Sequence, residues 1–533
     1  MTNETLNISP LLSARKTQSP PKLANYSWSD VAQRGGSQAL FRLSQPFIHI
    51  ANSVFISWTT LPSALAADGI ALTMKGFFIH TPGSFIHLIS FHFKINNFHE
   101  NSNLYYAANI IVTGLNTLEL PLLIFSGDIL HAIFNLDPIL CQNIQEFFRG
   151  FSPGLILTGL FSVNRQFLNS ECSKAQNLKI YSHLLTVVGF GGLLIFTVTG
   201  YWLIPTYGNR GSGYTYSITV TFEYLASLAM LMHKKEFRQN LIQRPNFKLI
   251  LSNIRRTLDI HIPVSLRFLA ESFNGVAFSL VAAAINQNSL TGLHICNTAL
   301  QLIDLPCFSF YMPVKTFIIS SLNVAKTSFM ATFLPTAYAS AWEIPFSIPT
   351  ISNWICDLFL SAQSPENREA IKSLVTTLFP IMGVAGILGC LQHGQRGLLQ
   401  AGGQRIDNQE NYEKQLIVNQ APNEFPTLKK ENWAITGNTI VFQSLPFLSL
   451  CWVIGKYCGF DVQGIAILNL LCMVALILGL TPRTINFLRN PSKPPHDCWA
   501  TIFPSRPDYL PTHATPIQDD ANEETNSPRL SFI

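Results

Sequence analysis

Charge is what this sequence has least of. Asp, Glu, Lys and Arg together make up 12% of the 533 residues, while hydrophobic residues make up 48%. A soluble domain usually carries about 25% charged residues, and a chain this poor in charge cannot cover a water-facing surface of the size its length implies. The ten cysteines are scattered, with no C-x-x-C pair and no Cys/His cluster. That pattern argues against a structural zinc site and against a disulfide framework. There is no H-E-x-x-H, no G-x-S-x-G and no paired intramembrane Asp, so the reading is a non-enzyme without an organic cofactor. Residues 1–36 lack a basic segment followed by an apolar one, so no cleaved signal peptide is expected. What is left is a polytopic membrane protein.

Long uncharged runs support that class. Phe47–Ala67, Gly76–Phe93, Tyr181–Ile204, Ser272–His294, Ser373–Gln395, Trp433–Gly455 and Val462–Pro482 contain no Asp, Glu, Lys or Arg. About 20 apolar residues in a helix cross a hydrocarbon core. Their Gly, Ser, Thr and Pro content suits a membrane helix bundle. The fold class expected is all-α, with twelve transmembrane helices centred near Ser53, Thr81, Val112, Ile156, Gly191, Leu225, Phe278, Cys307, Pro335, Val384, Phe447 and Cys472. The spans divide the chain into a polar tail (1–38), a six-helix lobe (39–232), a basic linker (233–260), a second six-helix lobe (261–481) and a disordered tail (482–533).

Loop charge sets the expected orientation. Lys234, Lys235, Arg238, Arg244, Lys248, Arg255 and Arg256 crowd the central loop; Lys174 and Lys179 follow span four, and Arg405, Lys414, Lys429 and Lys430 follow span ten. With twelve spans all three loops lie on one side, the cytoplasmic side, together with both termini. A multi-pass protein of the plasma (inner) membrane is expected. The basic central loop lacks aromatic interleaving, so nucleic acid is not an expected partner; membrane lipids and a small-molecule substrate are, and the chain is expected to act as a monomer.

The chain also repeats itself. Pro138 and Pro153 recur as Pro365 and Pro380, each pair separated by the same offset of 227 residues. Pro46 and Pro263 open the two halves, and Gly208 to Gly211 before span six matches Gly459 to Gly464 before span twelve. Six spans per half make the repeat parallel, and such halves enclose a cavity at their interface.

At these residues the chain resembles the multidrug and toxic compound extrusion family. The stretch Ile262 to Glu271, with Leu293 to Asn297, Tyr311 to Val314 and Asn323 to Lys326, resembles the opening of the family's second half. Leu136 to Leu168 resembles its helix-four entrance, and Gln395 to Leu398 the end of its helix ten. The resemblance covers about Leu40 to Leu480 and implies two six-helix lobes that export amphipathic, often cationic compounds by Na+ or H+ antiport. The family usually has an aspartate in helix one, where this chain has Leu61 flanked by Thr59 and Thr60, and its cation-coupled bacterial branch has one in helix ten, where this chain has Ala385. The helix-seven acid is present as Glu271.

Individual residues follow from these readings. Glu271 is the candidate ion-coupling acid, because an unpaired carboxylate at that depth is costly and must be protonated, paired or facing water. The bland reading is an i,i+4 pair with Arg267. Asp304 is the second candidate. Asn52, Thr59, Thr60 and Asn274 are candidate cavity residues, and Pro46 and Pro263 are candidate hinges, each otherwise an ordinary first-turn proline. Glu119 and Glu223 are expected to be solvated near span ends, and Lys75 and Lys315 to snorkel to the cytoplasmic interface. His49, His294 and His393 are expected to be simply hydrogen-bonded. Other functions compatible with these residues are a flippase for a lipid-linked substrate, and a scaffold or receptor that does not transport.

The topology is testable by labelling from outside intact cells. In a background freed of native cysteines, a cysteine at Arg244 should be protected from an impermeant reagent and one at Ser364 should react; the reverse pattern would overturn the orientation.

Overall fold

The computed structural model describes residues 27–59, 62–86, 98–172, 178–233, 238, 246–319, 321, 323–361, 363–418, 426–457, 461–489 and 491. Among them the secondary structure is almost wholly helical. In chain order the helices are α1 (Trp28–Ser57), α2 (Pro62–Ile86), α3 (Phe98–Ile124), α4 (Ser126–Phe134), α5 (Pro138–Cys172), α6 (Leu178–His233), α7 (Phe247–Ile285), α8 (Gln287–Ile319), α9 (Val324–Phe346), α10 (Pro349–Phe359), α11 (Pro365–Val418), α12 (Pro426–Thr439), α13 (Leu445–Tyr457) and α14 (Val462–Arg489). A five-residue π-helical turn, Ile440–Ser444, joins α12 to α13.

Short polar side chains start these helices. Asp137 accepts from the amides of Ile139 and Leu140 at 2.8 and 3.0 Å, just ahead of Pro138. Asn246 accepts from Lys248 and Leu249, and Asn323 from Lys326. Each cap satisfies amides that have no partner inside the helix. The repeated prolines therefore mark equivalent points: Pro138 and Pro365 are the first residues of α5 and α11, and Pro153 and Pro380 lie inside them.

The packing repeats as well. In the first half α5 is the hub, packed on α2, α3 and α6. In the second half α11 is the hub, packed on α8, α9 and α14. The halves meet through a swapped pair of contacts, α1 on α8 and α2 on α7.

Two backbone features shape the first half. Gly208 interrupts α6 with φ +57° and ψ −136°, a conformation that suits a glycine because it has no Cβ. Further on, α5 and α6 touch backbone to backbone. A Cβ on Gly213 would overlap the Phe147 carbonyl, and one on Gly150 the Arg210 carbonyl. Such small-residue contacts are how helices associate where lipid removes the hydrophobic driving force between them.

Six described stretches are long and apolar enough to cross a membrane: Ser102–Ile124, Leu184–His233, His261–Ile285, Pro365–Asp407, Pro426–Gly455 and Val462–Arg489. The second, 50 residues long, contains the Gly208 kink. Large apolar side chains such as Leu118 at 74%, Trp202 at 69% and Leu194 at 66% exposure stand on the outer surface, where water would not favour them but lipid would.

Several boundaries differ from expectation. The first lobe was to begin at residue 39, but α1 begins at Trp28; residues 1–26 lie outside the described residues. The second half of the linker, from Phe247, is the first part of α7. At the other end α14 runs past residue 481 to Arg489, and residues 492–533 lie outside the described residues. Pro46 and Pro263 accordingly lie well inside α1 and α7 rather than in a first turn.

Substituting Gly208 tests the kink. Gly208→Ala should destabilise the protein by about 1–2 kcal/mol, the cost of a Cβ at positive φ; an unchanged melting temperature in detergent would show that the kink carries no strain.

Candidate functional site

Three polar clusters lie inside the helical body. The first joins the halves. Asp68 on α2 is fully buried and accepts from Asn52 Nδ2 at 2.7 Å and from Ser53 Oγ at 3.1 Å, both on α1. His294 on α8 places Nε2 3.3 Å from Asp68 Oδ2 and 2.9 Å from Ser53 Oγ. Ser212 on α6 donates to Asn52 Oδ1 at 2.6 Å. Asn52, Ser53 and Ser212 have no exposed surface, and His294 is 4% exposed. A Cβ on Gly69 would stand 2.8 Å from the His294 Cβ, so the glycine beside Asp68 lets α8 approach.

A second cluster fills the first half. Lys75, 6% exposed, places Nζ 3.4 Å from the centroid of Tyr216 and 3.4 Å from His49 Nε2. His49 also bonds Gln301 across to α8. Gln45 donates to Glu223 at 3.4 Å, and Glu223 is 2% exposed. Two expectations are overturned here. Lys75 does not snorkel: the Tyr216 ring face solvates its ammonium. Glu223 is not solvated near a span end but buried among α1 and α6. Glu119 is half-buried, and the side chain of Lys315 lies outside the described residues.

The third cluster fills the second half. Arg396 on α11, 1% exposed, pairs with Glu271 on α7 at 2.5 Å and donates to Thr439 at 3.0 Å. Arg267 stands 3.9 Å from Glu271, so the i,i+4 pair exists but is the weaker of the two. Asn274 donates to Ser444, and Gln392 pairs with Gln443 at 3.3 Å. Ser444 and Gln443 both belong to the π-helical turn, a feature frequent at functional sites. Nearby, Arg483 and Glu431, each nearly without exposure, pair at 2.7 Å.

The remaining candidates fall as follows. Thr59 donates back to Ile56 at the end of α1, which spends its hydroxyl locally. Thr60 lies outside the described residues. Pro46 is buried in α1; the Pro263 carbonyl accepts from Thr436 at 2.6 Å. Asp304 is on α8, apart from Glu271, beside Gly386 of α11 and Glu343 of α9. His393 is half-buried on α11, one turn before Arg396. The sequence singled out neither Asp68 nor Glu343 nor Gln392. Asp68 bore the available signal, an acid directly after the uncharged run Phe47–Ala67. Among the described residues no group of three or more His, Cys, Asp or Glu could hold a metal ion.

No protein-family model and no curated protein matches the sequence. Solved structures do match the fold. One is the inward-facing conformation of a multidrug resistance MATE family transporter of the MOP superfamily, with TM-score 0.62 and 15% identity over 85% of this chain and 98% of that one. A second is a MATE protein in complex with MaL6, with TM-score 0.59 and 14% identity over 88% and 98%. A third is a MOP superfamily transporter from Pyrococcus furiosus, described as having a binding pocket of reversed polarity that suggests a different function, with TM-score 0.57 and 15% identity over 88% and 100%. The chain thus has the fold of the MATE transporters of the MOP superfamily, and it is an integral membrane protein.

The interlobe cluster can be weighed by a double-mutant cycle. Asp68→Asn and His294→Gln should each lower stability, with a coupling energy of about 0.5–3 kcal/mol between them. Strictly additive losses in thermal melts would show that the two residues do not interact.

Proposed function

We propose that this protein is a secondary active transporter that exports small organic compounds, often cationic and amphipathic, in exchange for H+ or Na+. The observation that carries the proposal is the swapped seam. Two repeated halves meet through α1 on α8 and α2 on α7, an arrangement in which one half can rock against the other around a central cavity. On the expected topology Asp68, Ser53, His294 and Ser212 lie toward the outer ends of their helices. Their bonds then close the outer side, in keeping with the higher similarity to an inward-facing MATE structure (TM-score 0.62) than to an outward-facing one (0.56).

The proposed coupling acids are Glu271 and Asp304. Glu271 is neutralised by Arg396 in this conformation. Protonation of Glu271 would dissolve that pair, freeing Arg396 to move away from α7, so occupancy of the acid and the packing of α7 on its neighbours are linked. Asn274, whose Oδ1 has no partner, is one turn away and is proposed to line the cavity with Asn52. The protein is proposed to work as a monomer among membrane lipids of the plasma membrane, with twelve crossings and both termini in the cytoplasm.

One observation favours a second reading. The first half carries Lys75 buried and Arg42 and Arg165 half-buried, a basic interior that suits an anionic headgroup, as in a flippase for a lipid-linked substrate.

Reconstitution separates these readings. Proteoliposomes holding the full chain should accumulate or expel a fluorescent organic cation under an imposed H+ or Na+ gradient. Glu271→Gln should cut gradient-driven transport by about tenfold or more, the loss of one charge-assisted contact, and leave substrate binding intact. Movement of an anionic lipid analogue without the cation would favour the flippase, and no movement of either would leave a scaffold.

A further inference from the structure

Apart from the seam and the Glu271 pair, α8, α9 and α11 converge on another acidic point. Glu343 on α9 is 1% exposed, and neither of its carboxylate oxygens meets a hydrogen-bond donor. The Ile387 amide of α11 faces the carboxylate. Both Glu343 and Asp304 point at the same place, the bare backbone of Gly386. A Cβ there would overlap Glu343 Oε1 and stand 3.2 Å from Asp304 Oδ1. Asp304 is exposed, so the pair has an accessible mouth at Asp304 and a sealed floor at Glu343.

Among the described residues the other titratable groups facing the pair are the thiols of Cys307 on α8 and Cys390 on α11. No Lys, Arg or His among them supplies a countercharge to either carboxylate. Glu343, sealed from solvent with a second carboxylate beside it and no countercharge, cannot stay ionised unless a proton or another cation joins the pair. A divalent ion would want six or more oxygen ligands or near-octahedral geometry, and this pair offers four oxygens with no third acid, His or further donor cluster around it. The charge that fits is therefore single and small.

We infer that Asp304 and Glu343 form a binding site for one unit of positive charge, a proton or a Na+ ion, with Gly386 as its open wall. The site gives the proposed antiport a second acid for Asp304 to work with, on a different set of helices from Glu271. The inference rests on the cation-exchange reading for its purpose, but its occupancy is measurable without any transport.

The test uses the purified full chain in detergent, with 22Na+ binding and infrared difference spectra of the carboxylic-acid carbonyl band. Either of two results supports the site. In one, the parent binds a single Na+ per chain as the acid band disappears, and Glu343→Gln and Asp304→Asn weaken binding about tenfold or more. In the other, Na+ does not bind, and a protonated-carboxyl band persists at neutral pH that Glu343→Gln and Asp304→Asn remove. Gly386→Ala, which keeps both acids but fills the gap, should weaken Na+ binding as Glu343→Gln does or, where Na+ does not bind, shift the protonated-carboxyl band, and it decides the matter should the acid variants fail to fold. Asp357→Asn, an acid on α10, should change nothing. The site is overturned if the parent shows neither Na+ binding nor an acid band sensitive to these substitutions. A filled site in a protein that moves no substrate refutes only the transporter reading.

Discussion

A carboxylate with no exposed surface must find all its compensation inside the protein, and Asp68 finds it across the seam between the halves. Removing such a charge from water costs several kcal/mol. Asn52 and Ser53 on α1 return part of this from within the first half, and His294 on α8 returns part from the other. The close approach of α8 depends on Gly69, where any side chain would collide with His294. The seam is thus more than apolar contact. It is a bond network whose geometry is satisfied only when α1, α2, α6 and α8 sit in one arrangement. Moving the halves apart would leave Asp68 to be resolvated, which ties the relative position of the lobes to water access at this point.

Much of the fold was legible because it rests on local rules. Pro138 and Pro365 prove to be helix starts, since proline is tolerated in a first turn and Asp137 and Ser364 precede them as caps. Their recurrence with Pro153 and Pro380 at one offset announced the repeat. Pro46 and Pro263 misled for the same reason: read as openers, they lie deep in α1 and α7. Their helices begin earlier, with Trp28 and behind the Asn246 cap, and membrane helices tolerate internal prolines where neighbouring groups satisfy the backbone.

The candidate sites were half legible. An acid inside an apolar run is visible in sequence, so Glu271 and Asp304 stood out. Their partners were not visible, because Arg396 and Glu343 come from helices far along the chain and no local period links them. Lys75 and Glu223 show the same limit from the other side. Each was read at a span end because charge in lipid is expensive, yet protein solvates both: the Tyr216 ring and His49 for Lys75, and Gln45 for Glu223. The pattern shows how far each charge is from water along the sequence, and packing decides whether that distance matters.

The two halves solve the buried-charge problem differently, and the difference bears on how they move. The second half uses short arginine–carboxylate pairs, Glu271 with Arg396 and Glu431 with Arg483, that pin α7 to α11 and α12 to α14. Such pairs are costly to break singly because each leaves a charge behind, so this half is held as a unit except where its acid can be neutralised. The first half is welded instead by backbone contact, α5 to α6 through Gly150 and Gly213, which no ion can loosen. Chemistry can therefore enter the structure at few places: the acids of the second half, and the Asp68–His294 seam. Glu271 and Asp304 stand on α7 and α8, and these are the helices that α2 and α1 grip. Acid and seam share a helix in the second half, with His294 and Asp304 under three turns apart on α8.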